Sequence, residues 1–152
     1  VAASGLPFYV VQPATHGGAV PQGMGDSIAR GVQATADSAG WLILPGDLPL
    51  VQADTLQRVA DSLDTSPVVL PQWQGRSGHP VGFAAACRAP LLALQGDQGA
   101  AAVVRAHRQA GTLHVLALDD PGLVMDIDTP ADLACAEAWL VARTAGAGAH
   151  PA

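Results

Sequence analysis

The run Trp41-Leu42-Ile43-Leu44 constrains the fold of this chain more than any other feature, because four apolar residues follow one another without alternation. A strand with one face in water alternates apolar and polar residues, whereas a strand covered on both faces does not. Pro45 and Gly46 end the run. We therefore expect a central strand of a parallel sheet that has helices on both sides.

Helical and strand patterns alternate on either side of this run. Helices are predicted over about 26–39, 54–63, 89–94, 100–110 and 130–143, and strands over 8–11, 41–44, 68–70, 81–83, 113–118 and 124–126. This order predicts one α/β domain over residues 1–143 with a mostly parallel sheet. Residues 14–25 and 72–80 are predicted loops, and the Ala/Gly-rich segment 144–152 is predicted to be a disordered tail.

Composition excludes several classes of protein. A net charge of -6, with seven basic residues that are all Arg, argues against a nucleic-acid surface. The sequence has no transmembrane run and no signal-peptide pattern at Val1, which predicts a cytoplasmic protein. Cys87 and Cys135 lack metal-ligand spacing and are predicted to be buried thiols.

Asp47 follows the apolar run directly, within Leu44-Pro45-Gly46-Asp47. Ligands of open α/β sheets lie beyond the carboxyl ends of the strands, so this carboxylate is a candidate ligand for a hard cation such as Mg²⁺. Gly46 would permit close approach of the backbone to a ligand. The alternative is a turn Asp that binds its own backbone.

A second acidic segment, Asp126-Ile127-Asp128-Thr129-Pro130, lies between a predicted strand and a helix. Asp126 and Asp128 alternate about Ile127, so one of them is expected to face the ligand crevice. Capping is the alternative, since Asp128 or Thr129 could each serve as the N-cap of the helix.

Three further segments could contact a ligand. The glycine-rich string Gly23-Met24-Gly25-Asp26-Ser27 opens a helix, whose amides favour an anion or the polar edge of a nucleotide, or it is an ordinary capped helix start. Arg76 and His79 share a turn-rich loop, where they could hold an anionic or heterocyclic substrate or lie on an exposed turn. Asp97 is typical of a helix N-cap.

Taken in order, these strings resemble the MobA-like nucleotidyltransferase family, and especially its molybdenum cofactor cytidylyltransferase branch. The matching strings are Gly23 to Ser27, Leu44-Pro45-Gly46-Asp47-Leu48-Pro49, Gly75 to Pro80, Gly96-Asp97-Gln98-Gly99 and Asp126 to Leu133. The Gly-His-Pro and Gly-Asp-Gln-Gly strings favour the cytidylyl branch over the guanylyl branch.

The resemblance implies a Rossmann-like three-layer fold and the transfer of CMP from CTP to the phosphate of molybdopterin, with release of pyrophosphate. It assigns catalytic and Mg²⁺-binding roles to Asp47 and Asp128. It also implies nucleotide binding by Gly23, Met24, Ser27 and Gly46, and substrate binding by Arg76, His79 and Asp97. The alternatives are a guanylyl- or sugar-nucleotide transferase of the same fold, or a non-catalytic module that delivers molybdenum cofactor to a recipient molybdoenzyme.

The sequence departs from the family at its start. The family opens with a strand and a loop that wraps the triphosphate, whereas Val1 to Val11 is similar to a later segment. We therefore expect this chain to lack the first strand and the phosphate loop, and to be inactive as given. Such a gap would leave an edge of the sheet exposed and favour self-association.

Overall fold

The structure is a computed structural model that describes residues 23–147, with side chains as far as Arg143. The helices are α1 (Met24–Ala34), α2 (Ala53–Ser62), α3 (Arg88–Leu92), α4 (Ala101–Gln109) and α5 (Pro130–Ala147). The strands are β1 (Gly40–Ile43), β2 (Val68–Trp73), β3 (Arg76–Ser77), β4 (Val81–Ala84) and β5 (Leu113–Ala117). The predicted strand 8–11 and nearly all of the predicted loop 14–25 lie outside the described residues.

The five strands form one mixed sheet, in which β1, β4, β2 and β5 lie side by side. Strand β4 is antiparallel to both β1 and β2, and β5 is parallel to β2. Strands β1, β2 and β5 therefore point in one direction, and their carboxyl ends lie at the same edge of the sheet. The predicted α/β class is confirmed, and the sheet is mixed because β4 and the short β3 are both antiparallel to β2.

Two apolar clusters cover the two faces of this sheet, which gives three layers. One cluster joins α1, α3 and α4 to the sheet and contains Val32, Val68, Leu70, Val81, Phe83, Cys87, Leu91, Leu94 and Val103. The other lies under α2 and contains Val59, Val69, Leu118 and Leu123. In β1 the side chains of Trp41 and Ile43 pack against the first cluster and that of Leu42 against the second. The uninterrupted apolar run Trp41 to Leu44 is thus explained, because both faces of β1 contact helices.

Strand β1 pairs with β4, and no strand among residues 23–147 pairs with its other side. Residues of β1 and α1 line an apolar groove. The predicted strand 8–11 lies outside the described residues, so self-association through this edge of the sheet stays a prediction.

Several predicted boundaries differ from the structure. The predicted strand 124–126 is wrong, because residues Pro121–Val124 form a 3₁₀ turn and an irregular segment follows it. Helix α1 ends at Ala34, before the predicted residue 39, where the Thr35 hydroxyl donates to the carbonyl of Gly31 and accepts from the Trp41 indole. Helix α5 continues to Ala147, past the predicted end at residue 143.

The two cysteines differ in burial, so the prediction of two buried thiols holds for only one of them. Cys87 is buried and its thiol donates to the carbonyl of Pro67, and burial raises the pKa of that thiol. Cys135 is exposed on α5. None of the helices within residues 23–147 is both long enough and apolar enough to cross a membrane.

Candidate functional site

Two cavities adjoin at Pro45, at the carboxyl end of β1. The first, of about 290 Å³, contains two carboxylates and is lined by Pro45, Asp47, Leu48, Arg76, Ser77, Gly78, His79, Leu123, Val124 and Asp126. The second, of about 340 Å³, is the apolar groove between α1 and β1, and it is lined by Met24, Ser27, Ile28, Gly31, Val32, Trp41, Leu42, Ile43, Leu44 and Pro45. We call them the acidic pocket and the apolar groove. Together they lie where the rule for open α/β sheets places ligands.

Asp47 lies in the acidic pocket with an exposed side chain. Its carboxylate makes no hydrogen bond within the part of the chain that the structure describes. The alternative interpretation of Asp47, a turn residue that binds its own backbone, is therefore wrong. The carboxylate is available to a ligand from solvent.

The second acidic segment lies directly against Asp47. The amide of Ile127 donates a hydrogen bond of 2.9 Å to the carbonyl oxygen of Asp47. On one side of Ile127, Asp126 lines the acidic pocket; on the other side, Asp128 is exposed and is not part of the pocket lining. The alternation about Ile127 predicts that one of these two carboxylates faces the crevice, and Asp126 is the one that lines the pocket.

The start of α5 is capped by Thr129 and Asp132. The carboxylate of Asp132 accepts from the amide of Thr129 at 2.8 Å and from its hydroxyl at 2.7 Å, and the Thr129 hydroxyl accepts from the amide of Asp132. These hydrogen bonds from Thr129 lower the pKa of Asp132. Thr129 is therefore the N-cap, and the side chain of Asp128 is not used for capping.

A tight hairpin carries Arg76 and His79 into the acidic pocket. Trp73 pairs with Arg76, and the two residues between them, Gln74 and Gly75, have positive φ angles of 48° and 80°. A two-residue turn with two positive φ angles matches the twist of the flanking strands, and Gly at the second position permits it. Part of the predicted loop 72–80 is thus the end of β2 and all of β3.

His79 is half-buried at the back of the pocket. Its amide donates to the carbonyl of Leu123 at 3.1 Å, and the His79-Pro80 peptide bond is cis. Burial lowers the pKa of the imidazole below its ordinary value, while the negative charge of Asp47 partly opposes this effect. The imidazole is therefore neutral at pH 7 and can accept a hydrogen bond on one ring nitrogen. Arg76, in contrast, is exposed at the rim of the pocket.

Met24 and Ser27 lie on the apolar groove, so the structure separates them from Arg76 and His79. The Ser27 hydroxyl is exposed and donates to the carbonyl of Gly23 at 3.2 Å. Gly46 is exposed between Pro45 and Asp47 in the chain, and an added Cβ there would meet no atom of residues 23–147 within 4 Å. No contact within these described residues requires glycine at position 46.

Gly23 and Asp97 belong to a contact between two loops. The amide of Gly25 donates to the carbonyl of Gly96 at 2.8 Å, and the carboxylate of Asp26 accepts from the amide of Gly96 at 3.1 Å. A Cβ at Gly23 would collide with Gly96 and with the side chain of Asp97. The amide of Gly25, in the string that was predicted to face a ligand, is therefore hydrogen-bonded within the protein. Asp97 is not an N-cap, because α4 begins after Ala100.

The acidic pocket is suited to a cation that keeps ligands from substrate and water. Within residues 23–147 no group of three or more His, Cys, Asp or Glu side chains could hold a metal ion on its own. Mg²⁺ is usually bound by one or two carboxylates together with phosphate oxygens and waters. The donor set of Asp47 and a carboxylate from residues 126–128 fits that description.

Sequence reasoning missed Asp120, which is buried beside the acidic pocket. The string Asp120-Pro121-Gly122 has the composition of a turn, with Asp at the first position and Pro at the second. That signal predicts the turn, but it says nothing about the distant partners of the carboxylate. Those partners become visible only in three dimensions.

Comparisons with known proteins point to one family. The profile of the MobA-like NTP transferase domain matches residues 3–111. No curated protein matches the chain. The crystal structure of Rv0371c from Mycobacterium tuberculosis H37Rv is similar, with 25% identity and a TM-score of 0.59, and the match covers 71% of this chain and 58% of that chain.

Two related crystal structures extend this comparison. A structure of Rv0371c in complex with manganese has 27% identity and a TM-score of 0.57, over 68% of this chain and 56% of that chain. The homolog of that protein from Mycobacterium sp. strain JC1 has 18% identity and a TM-score of 0.62, over 74% of this chain and 57% of that chain, which shows the fold alone. The chain thus matches less than two thirds of the length of each of these structures.

Proposed function

Because the chain belongs to the MobA-like NTP transferase family, we propose that it is a nucleotidyltransferase domain that transfers CMP from CTP to the phosphate of molybdopterin. The observation that carries the proposal is the contact between Asp47 and Ile127, which holds two acidic segments together at the carboxyl edge of the sheet. Nucleotidyl transfer needs anionic ligands for a cation at such a place, beside room for two substrates. The acidic pocket and the apolar groove provide that room on either side of Pro45.

In this reaction an oxygen of the acceptor phosphate attacks the α-phosphorus of the nucleoside triphosphate. The bond from that phosphorus to the bridging oxygen of pyrophosphate breaks, and pyrophosphate leaves with the bonding electron pair. Negative charge is redistributed over oxygen atoms and no covalent intermediate with the protein is needed. Catalysis is therefore mainly a matter of positioning and electrostatics.

Asp47 and a carboxylate from residues 126–128 would hold the divalent cation in this proposal. Asp128 is the residue that the family resemblance assigns, and Asp126 is the one that lines the acidic pocket. When bound, Mg²⁺ would offset the negative charge on the phosphate oxygens. Support comes from the complex of Rv0371c with manganese, a divalent ion that accepts similar oxygen ligands.

The two cavities suggest a division of the substrates. The apolar groove with Met24 and Ser27 would take the nucleoside, since it offers an apolar surface for a base and one exposed hydroxyl. The acidic pocket would take the phosphorylated acceptor, with the guanidinium of Arg76 at its rim. A neutral His79 at the back could accept a hydrogen bond from an N–H of a heterocycle without adding positive charge.

Pyrophosphate release measures the activity directly. The protein expressed from its full reading frame is incubated with molybdopterin, Mg²⁺ and either CTP or GTP. We expect release with CTP to exceed release with GTP by at least tenfold, because the Gly-His-Pro and Gly-Asp-Gln-Gly strings favour the cytidylyl branch. Release with GTP alone would assign a guanylyl transferase, and binding of molybdopterin without release from either nucleotide would assign a delivery module.

A further inference from the structure

Asp120 is the only buried Asp among residues 23–147, with 2% of its surface exposed. Both oxygens of its carboxylate are used. One accepts from the amide of Gln52 at 2.9 Å and from the hydroxyl of Thr55 at 2.7 Å, and the other accepts from the amide of Gly122 at 2.9 Å. All three contacts come from donors, which suits an ionised carboxylate that can only accept.

The carboxylate caps a helix to which it does not belong. Gln52 is the N-cap of α2, but its side chain makes no capping hydrogen bond. Asp120, from a distant part of the chain, accepts instead from the amide of Gln52 itself and from the Thr55 hydroxyl in the first turn, at the end of α2 where the helix dipole favours negative charge. The start of α2 is thereby fixed to the loop that follows β5.

The same interaction aligns two loops that lead to the acidic pocket. Residues 47–52 and 120–127 are joined at one end by Asp120 with Gln52, and at the other end by Ile127 with Asp47. Between these ends Gly122 lies so close to Leu50 that an added Cβ would collide with its carbonyl group. Residues 47–52 and 120–127 are thus in contact along their whole length, from the hydrogen bonds of Asp120 to the backbone of Asp47.

A third segment is fixed through the backbone of Leu123. The amide of Leu123 donates to the carbonyl of Asp120 at 3.2 Å, and its own carbonyl accepts from the amide of His79. A Cβ at Gly78 would collide with Leu123, so the hairpin lies directly on this turn. The turn after Asp120 is therefore in direct contact with the hairpin that carries Arg76 and His79 into the acidic pocket.

We infer that Asp120 is a positioning residue, whose buried carboxylate sets the placement of Asp47 relative to residues 126–128 and so determines the affinity of the site for a divalent cation. The inference deepens the proposed function and rests on it for the cation. Asp120 touches neither cation nor substrate in this assignment. It acts through the two loops that it joins.

The test compares Asp120→Asn with Thr55→Val, using Mn²⁺ alone as the probe. Asp120→Asn keeps the size of the side chain but replaces one acceptor oxygen by a donor, so at least one buried amide loses its partner. Thr55→Val removes a buried hydroxyl from the same cluster but leaves both loop amides bonded to Asp120. Both variants are measured by electron paramagnetic resonance at a temperature where circular dichroism shows them folded.

We expect Asp120→Asn to raise the Kd for Mn²⁺ by roughly 10- to 100-fold, as is usual for residues that orient metal ligands. Thr55→Val should leave the Kd within about twofold of wild type, although both variants lose thermal stability. A Kd in Asp120→Asn equal to that of wild type would overturn the inference. So would an equal loss of affinity in Thr55→Val, because the effect would then follow stability rather than loop placement.

Amide hydrogen exchange gives a second readout that needs no metal. In Asp120→Asn the amides of Ile127 and His79 should exchange at least tenfold faster relative to those of Val68 and Val69 in the sheet. Unchanged relative exchange would also overturn the inference. If wild type and Asp47→Asn bind Mn²⁺ equally, the cation site of the proposed function fails, and hydrogen exchange alone then decides the role of Asp120.

Discussion

The carbonyl oxygen of Asp47 accepts a hydrogen bond from the amide of Ile127, at a distance of 2.9 Å. Asp47 follows β1, and Ile127 stands between the two aspartates that precede α5. Backbone atoms make the contact, so the carboxylates of this region remain available to a ligand. The hydrogen bond brings acidic groups together without neutralising any of them.

The first prediction concerns the carboxylate of Asp47. Asp47→Asn in the protein expressed from its full reading frame should lower kcat/KM for pyrophosphate release by on the order of 10²-fold or more, because charge stabilisation during transfer is lost. Thermal unfolding should be nearly unchanged, since the carboxylate is exposed and makes no hydrogen bond within residues 23–147. Steady-state kinetics and circular dichroism measure the two effects.

Asp64→Asn is the matched control for this variant, because Asp64 is an exposed aspartate outside the acidic pocket. It should leave both kinetics and unfolding as in wild type. Wild-type kcat/KM for Asp47→Asn at saturating Mg²⁺ would remove Asp47 from the proposed cation site.

The second prediction separates Asp126 from Asp128. Asp126 lines the acidic pocket and Asp128 does not, so Asp126→Asn should weaken Mn²⁺ binding more than Asp128→Asn does. The difference should be on the order of tenfold, because a direct ligand costs more than a charge held further from the ion. Titration of both variants with Mn²⁺, followed by electron paramagnetic resonance, measures it. A larger loss for Asp128→Asn would restore the assignment that the family resemblance makes.

The third prediction concerns the protonation of His79. Burial lowers the pKa of the imidazole and Asp47 raises it, so wild type should titrate below the ordinary value of 6.5 and Asp47→Asn should titrate lower still. As the pH falls from about 6.5 toward this lowered pKa, the imidazole takes up a proton more readily in the unfolded chain than in the folded protein. The free energy of unfolding therefore decreases over that pH range. Nuclear magnetic resonance of the imidazole protons follows the titration.

Asp64→Asn serves as the control in that experiment, because Asp64 is exposed and lies outside the acidic pocket. The His79 midpoint in this variant should equal that of wild type. A His79 midpoint that rises on removal of the Asp47 charge would contradict the arrangement of the acidic pocket.

Local sequence patterns were sufficient to predict most of the elements of this fold. The apolar run at β1 predicted a strand with both faces covered, and both faces contact helices. The pattern at Asp47 placed a carboxylate at the carboxyl end of that strand, where the acidic pocket lies. These features depend on near neighbours in the chain, and near neighbours are what a sequence shows directly.

Features that depend on distant contacts could not be predicted in the same way. Direction is one example, because nothing within Val81-Gly82-Phe83 says that β4 runs against β1 and β2. Asp120 is another, since its partners Gln52 and Thr55 come from a different part of the chain. The choice between Asp126 and Asp128 also required the structure. Alternation about Ile127 does not say which of the two side chains faces the pocket.

The last prediction concerns two glycines that differ in their surroundings: Gly78 lines the acidic pocket, and Gly46 precedes Asp47 in the chain. An added Cβ at Gly78 would collide with the backbone and side chain of Leu123, whereas at Gly46 it would meet no atom of residues 23–147 within 4 Å. Gly78→Ala should therefore destabilise the protein by about 1–3 kcal/mol through overpacking. Gly46→Ala should change the free energy of unfolding by no more than about 0.5 kcal/mol, as is usual for exposed positions. Urea denaturation measures both values.

If a ligand contacts the backbone beside Asp47, Gly46→Ala should affect nucleotide binding although it hardly affects stability. Gly46→Ala should then raise the KM for nucleotide by at least severalfold while its stability stays at the wild-type value, because the added methyl group occupies space that no atom of residues 23–147 fills. Asp64→Asn is again the control, since Asp64 is exposed and lines neither the acidic pocket nor the apolar groove. Its KM for nucleotide should equal that of wild type. A Gly46→Ala protein with the wild-type KM would place the nucleotide away from this turn and leave Gly46 with a purely conformational role.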